Sequence, residues 1–210
     1  EHLSPEEDTI CFLEGRKEWT HQNCLNVTSD GSLLVSFRQT DTVGIVDRST
    51  GEFSWKWGPG DISHQHNPTF LDNGHVLLFD NGPHRRGVCH SRVVEIDPAD
   101  NQIAWEYRGD PPISFFSYHI SGADRLPNGN TLICEGAPGR IFEVTPTKDI
   151  VWEYISPFVG RSGDGVGGTA SGFANSVFRA HRYGPDHPAL QGKDLDPGRH
   201  ANLNRLYSPA

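Results

Sequence analysis

The sequence predicts an all-β fold built from repeated units of four short antiparallel strands. Three observations carry this. First, 23 Gly and 15 Pro are scattered through 210 residues that are only 35% hydrophobic, a composition suited to many short strands with tight turns. Second, a turn dipeptide recurs at Asp30-Gly31, Asn73-Gly74 and Asn128-Gly129, each time between short apolar runs. This is a strong local hairpin signal. Third, Trp55, Trp105 and Trp152 close successive stretches of similar pattern. A repeat of roughly 40–50 residues carrying four strands is the signature of a β-propeller blade.

Residues 1–10 are acidic and polar and are expected to fray. Residues 11–19 read as a strand, so 1–18 form an N-terminal tail plus a strand from a preceding blade. The repeat begins at Trp19. Blade one (19–60) runs W-T-H-Q-N-C-L-N-V, turn, L-L-V-S-F-R, T-V-G-I-V-D, F-S-W-K-W. Blade two (61–110) runs H-Q-H-N-P-T-F-L, turn, V-L-L-F-D, R-V-V-E-I-D, I-A-W-E-Y, and blade three (111–158) follows the same plan to V-W-E-Y. Asp47, Glu95 and Glu143 recur at an even spacing of 48. A tryptophan at the same place in every unit reads as packing between blades.

The remainder, 159–210, is a Gly/Pro-rich segment that closes or wraps the propeller. Within it 160–172 reads as loop, 173–183 as a final strand or short helix, and 186–209 as a Pro-punctuated surface strap. Three units fall short of a closed ring, which takes roughly four to eight blades. The expectation is that N-terminal blades precede this segment; the alternative is a second copy that closes the ring.

The formal net charge of −9 argues against a nucleic-acid partner or an anionic membrane surface. No apolar run approaches the roughly 20 residues that span a bilayer, so no membrane insertion is expected. Cys11, Cys24, Cys89 and Cys134 form no C-x-x-C pair, which argues against a zinc knuckle or a thioredoxin-like motif. One or two disulfides and buried free thiols are both open. Asn26-Val27-Thr28 is a glycosylation sequon.

Aligned on the turns, His21, His64 and His119 each lie nine residues before the turn. Two residues on come Asn23, His66 and Ser121. In a strand, residues two apart face one side, so these six side chains are expected to line one wall of the central channel. A repeated imidazole-rich position is hard to explain by core packing. Arg38 adds a planar cation suited to sulfate, phosphate or carboxylate oxygens; its plain alternative is a surface pair with Asp41. His75, His84, His90, His181, His187 and His200 are read as ordinary strand or surface residues.

At these residues the sequence resembles the bacterial arylsulfotransferase family, whose propeller has six blades. The motifs are W-T-H-Q-N at 19–23, S-F-R at 36–38, Q-H at Gln65-His66, F-D-N-G at 79–82, L-P-N-G-N-T-L-I at 126–133 and V-W-E-Y at 151–154. The resemblance implies transfer of a sulfuryl group from an aryl sulfate donor to a phenol acceptor without a nucleotide donor. It implies His66 as the transiently sulfated nucleophile, with His21, Asn23 and Arg38 holding the sulfuryl oxygens. It also implies no cofactor, and a periplasmic or secreted location. His64, His119 and Ser121 are expected to line the substrate channel. Two other readings stay open: a metal-dependent lyase or hydrolase with a divalent metal at His21, His64, His66 and His119, and a non-catalytic propeller that binds a ligand or protein.

Overall fold

The computed structural model describes residues 3–162 and 172–201. Three four-stranded antiparallel meanders, each paired in chain order, make up most of it. The first contains β1 (Gln22–Val27), β2 (Leu33–Phe37), β3 (Thr42–Val46) and β4 (Phe53–Trp57). The second contains β5 (His66–Phe70), β6 (Val76–Asp80), β7 (Arg92–Asp97) and β8 (Gln102–Arg108). The third contains β9 (Gly122–Arg125), β10 (Thr131–Glu135), β11 (Arg140–Val144) and β12 (Ile150–Ile155). The Asp/Asn-Gly turns join the first two strands of each sheet. Gly31, Gly74 and Gly129 sit at φ of 87°, 85° and 85°, a region glycine enters without steric cost. β5 packs against both β1 and β9, so the first strands adjoin one another, as the inner strands of neighbouring blades do.

The ladder register shows which residues are equivalent. Ile45 pairs with Trp55, Glu95 with Trp105 and Glu143 with Trp152. The tryptophans therefore hold one blade position, as the repeat predicts. The acids do not: Ile45 is the equivalent of Glu95 and Glu143, and Asp47 lies two residues further on. Glu95 accepts from Asn73 and His75 of its own turn, and Glu143 from Asn128 and Asn130. Asp47 instead accepts from the Ser49 and Thr50 amides, capping the turn to β4. The even spacing of 48 coincided with two different roles.

The middle blade is covered on both faces. Along β6, Leu77 and Phe79 join the core toward blade three, with Val93, Tyr107, Phe115, Ile133 and Phe142. Leu78 between them joins the core toward blade one, with Val43, Trp57, Ile62 and Val94. Alternation with both faces buried yields a continuous apolar strand. The indoles stitch the outer rim: Trp55 Nε1 donates to Asn101 Oδ1 of the next blade at 2.8 Å, and Trp105 Nε1 to the Pro146 carbonyl at 2.9 Å.

The N-terminal expectation needs correction. Residues 3–18 form turns, not a strand, and residues 4–8 are pinned. Asp8 is 1% exposed; its carboxylate accepts from the Ser4 amide and from Lys56 Nζ, and its carbonyl from Trp19 Nε1. A strand over 11–19 would have needed an apolar alternation that Leu13-Glu14-Gly15-Arg16-Lys17 lacks. All four cysteines are free, so the disulfide alternative is excluded. Asn26 of the sequon donates its amide to the Pro68 carbonyl at 2.8 Å, a link between blades that a glycan on this nitrogen would disturb.

Beyond blade three, β13 (Gly160–Ser162) pairs with β14 (Gly172–Ala174). The predicted loop at 160–172 therefore has a strand at each end, and its middle lies outside the described residues. In 173–183, strand structure ends at Ala174 and no helix forms. Residues from His181 onward are a separate compact unit, with short 3-10 turns at Pro188–Leu190 and Pro197–His200. The strap expected over 186–209 is described only as far as 201.

Candidate functional site

His66 opens β5 and is 5% exposed. Its Nδ1 lies 2.7 Å from Asn81 Oδ1 and 3.1 Å from the His64 carbonyl. Both Asn81 N–H groups are already committed, to the Ser117 carbonyl at 2.7 Å and the Ile120 carbonyl at 3.0 Å. Asn81 can therefore only accept from His66. Both partners of Nδ1 are acceptors, so Nδ1 carries the proton and Nε2 carries the lone pair. Burial lowers the His66 pKa to about 4; the Arg38 charge adds to this and the Asn81 and His64 hydrogen bonds oppose it. The ring is neutral at pH 7, with a defined tautomer.

The residue before it locks the strand start in place. Gln65 is fully buried, and its amide donates to Ser36 Oγ, the Phe37 carbonyl and the Thr42 carbonyl. The Q-H and S-F-R motifs thus touch. The His64 amide donates to Asp41 Oδ1 at 2.7 Å. The next turn is held by Asp80, which accepts from the Ser63 amide, Arg85 and Arg92.

Arg38 lies just beyond β2. It pairs with Glu14 Oε1 at 3.0 Å, not with Asp41 and not as a bare cation. Its charge, after burial, lowers the pKa of both His64 and His119 and also bears on His66 and His84. One guanidinium therefore acts electrostatically on four imidazoles.

The six-residue channel wall is not assembled as period-two alternation predicts. His21 (φ 48°), His64 (φ 57°), Ile120 (φ 49°) and Ser121 (φ 88°) are left-handed, and the ladders are irregular between Gln22 and Cys24 and between His66 and Thr69. Each break turns the side chains out of simple alternation. His21 Nδ1 lies 2.8 Å from Glu18 Oε1. Asn23 donates to the Gln65 carbonyl at 2.7 Å, and its Oδ1 is buried without a partner. His119 stacks on Tyr118 at 4.2 Å. Ser121 is 1% exposed and bonds Ser117 Oγ at 2.8 Å while accepting from the Gly136 amide, so it is a pin in blade three and not a channel residue.

His64 is fully buried. Burial drives its pKa down to about 2, with Arg38 the next cause. Its 3.5 Å approach to Glu14 Oε1 is therefore contact with a neutral ring and not an ion pair. The four-histidine metal set is not brought together. Among the described residues, the one group of three or more metal-type donors that converges is Cys11, His64 and His84.

Asp41 has its pKa raised to about 7, first by burial and then by the charges of Asp80 and Glu14, against the His64 amide and Arg38. From about pH 4 to 7 the folded state holds a proton that the unfolded chain has lost, so this group's contribution to stability declines as pH rises through that window. Asp41→Asn keeps the acceptor and stays neutral. It is expected to raise Tm on the order of 5 °C at pH 8 and to change it little at pH 4, measured by thermal circular dichroism at both pH values.

Asn81 and Glu14 were not singled out from the sequence, and Asp41 only as a surface partner for Arg38. Asn81 stood inside the quoted F-D-N-G motif, which was the available signal. Glu14 had none, because the tail was read as a strand of another blade.

This is a three-blade propeller segment with a neutral, oriented imidazole under the electrostatic influence of a guanidinium. The chain belongs to the arylsulfotransferase (ASST) family, whose sequence profile matches residues 13–157. Among solved structures, it is similar to a protein of unknown function from Bacteroides caccae, at 15% identity and TM-score 0.50, over 66% of this chain and 47% of that one. It is also similar to virginiamycin B lyase from Staphylococcus aureus, at 19% identity and TM-score 0.48, over 68% and 44%. A third similar structure is the Cps50 (Swd1) β-propeller domain of Myceliophteria thermophila, at 15% identity and TM-score 0.37, over 69% and 60%. The chain spans about half the length of these structures or somewhat more. No curated protein matches it in sequence.

Proposed function

We propose that the chain transfers a sulfuryl group from an aryl sulfate to a phenol through a sulfo-His66 intermediate. The observation that carries this reading is the Asn81–His66 hydrogen bond, which leaves Nε2 as the nucleophilic nitrogen. In the first half-reaction Nε2 attacks sulfur, the S–O bond to the aryl group breaks and a phenolate leaves. Positive charge develops on the ring, and two acceptors already face Nδ1–H. Arg38 stabilises the sulfuryl oxygens, as fixed donors do in phosphoryl transfer.

In the second half-reaction the acceptor phenol attacks sulfur and the S–N bond breaks. Its proton passes to His21, whose Nδ1 faces Glu18, and from there to solvent, which protonates the released phenolate. Asn23 has one N–H left for substrate, because the other holds the Gln65 carbonyl. Family membership supports the substrate class; an exported location is part of the same reading.

Further blades complete the ring in this account. Trp57, Tyr107 and Tyr154 are equivalent by register. The first two are 9% and 7% exposed under the following blade, and Tyr154 is 38% exposed.

The test is a chromogenic aryl sulfate with excess phenol. Chromophore release that depends on acceptor is expected; release independent of acceptor, or none, sinks the reading. The single-turnover rate of the first half-reaction, which does not use His21, should stay flat from pH 7 to 5 and fall as pH drops through about 4, where His66 gains its proton. A fall centred near pH 6.5, the ordinary histidine value, would place the nucleophile elsewhere. Asn81→Leu removes the nearer of the two Nδ1 acceptors and leaves only the His64 carbonyl at 3.1 Å. It should lower kcat about 100-fold with KM little changed, in protein checked for folding by circular dichroism.

A further inference from the structure

We propose that Cys11, His64 and His84 form a zinc-type cation site that staples the N-terminal segment to the second blade. The site goes beyond the transfer reaction and does not depend on it. The three donor atoms all lie within 4.8 Å of one another. Cys11 Sγ is 3.1 Å from His84 Nδ1, and the His64 and His84 rings meet edge to face at 4.3 Å between centroids. Zn–S bonds of about 2.3 Å and Zn–N bonds of about 2.0 Å place tetrahedral ligand atoms roughly 3.3–3.6 Å apart. The donors are therefore near coordination distance and need only small side-chain movements.

The independent observation is His64 itself. It is 0% exposed, and neither ring nitrogen has a hydrogen-bond partner. Burying a polar ring without partners is costly, and such groups call for a specific explanation. A cation shared with Cys11 and His84 supplies one. One thiolate and two imidazoles form a borderline-soft donor set that suits zinc. Glu14 Oε1, at 3.5 Å from His64 Nε2, puts a carboxylate at hand for a fourth position.

The backbone around each donor is held. The Cys11 amide donates to the Gln39 carbonyl, the His64 amide to Asp41 and the His84 amide to Ser63 Oγ. A cavity of about 710 Å³ has Cys11 and His84 on its wall, beside Asp41 and Ser63, and gives an ion a path in. On binding, the Cys11 thiol gives its proton to solvent as the S–Zn bond forms. Residues 11, 64 and 84 follow no short-range ligand spacing, which is why the sequence alone does not reveal them.

The experiment strips the protein with a chelator, then titrates it with cobalt(II) and separately with zinc. A single equivalent of cobalt should bind with thiolate-to-metal absorption in the near ultraviolet, and zinc should displace it and raise Tm. Cys11→Ser and His84→Ala should each lose the absorption and the zinc-dependent Tm rise while keeping the parental circular dichroism. Cys89→Ser should keep both. If no thiolate absorption appears, the proposal is overturned. It is equally overturned if the absorption persists in Cys11→Ser or vanishes in Cys89→Ser. None of these readouts uses sulfuryl transfer, so the site can fail while the transfer reaction stands, and the reverse.

Discussion

His66→Asn is expected to lower acceptor-dependent chromophore release about 10⁴-fold or more. Asparagine keeps a donor near the Nδ1 position, so the bond to Asn81 Oδ1 and the fold around Gln65 can persist. It has no counterpart of Nε2, so no sulfuryl adduct forms. The wild-type ring is suited to the attack because burial holds it neutral, with a pKa of about 4, and because Asn81 and the His64 carbonyl fix its tautomer. A rate within about tenfold of wild type would remove His66 from the chemistry.

The second large effect concerns Arg38 and the carboxylate on it. Arg38→Ala should lower kcat by about 10²–10³-fold, the scale for losing one preorganised donor to an oxyanion. Arg38→Lys should recover little, because an ammonium offers a point charge and not a planar fork. Glu14 occupies that fork at 3.0 Å, where it competes with any anionic substrate. Glu14→Gln is therefore expected to lower KM for an aryl sulfate about tenfold, with kcat changed far less. A raised KM would mean that Glu14 orients Arg38 and does not compete for it. Steady-state kinetics of the three variants with one chromogenic donor separates these outcomes.

The fold was legible because its signals are local and repeated. The three Asp/Asn-Gly turns and the three tryptophans fell at equivalent ladder positions. The site was legible where a motif names its residue, as at Gln65-His66 and Arg38. It was not legible where geometry depends on irregular backbone. The left-handed residues at His21, His64 and Ser121 break the alternation that would have put six side chains on one wall. Ser121 thereby becomes a hydrogen-bonded pin.

Long-range pairings were the other blind spot. Nothing near Glu14 in sequence points to Arg38, 24 residues away, and nothing near Cys11 points to His84, 73 residues away. The equal spacing of Asp47, Glu95 and Glu143 misled for the opposite reason. It was regular in sequence, but the equivalent positions Ile45 and Glu95 lie 50 residues apart and Glu95 and Glu143 48 apart, so equal spacing marked unequal positions.

The most direct test of the account is to mix the protein with an aryl sulfate in the absence of acceptor and determine its intact mass, followed by peptide mapping under neutral conditions. The account predicts a gain of a single sulfuryl group, located on His66 and discharged when phenol is added. A mass gain on any other residue, or chromophore release in full yield with no covalent adduct at any time, would contradict it.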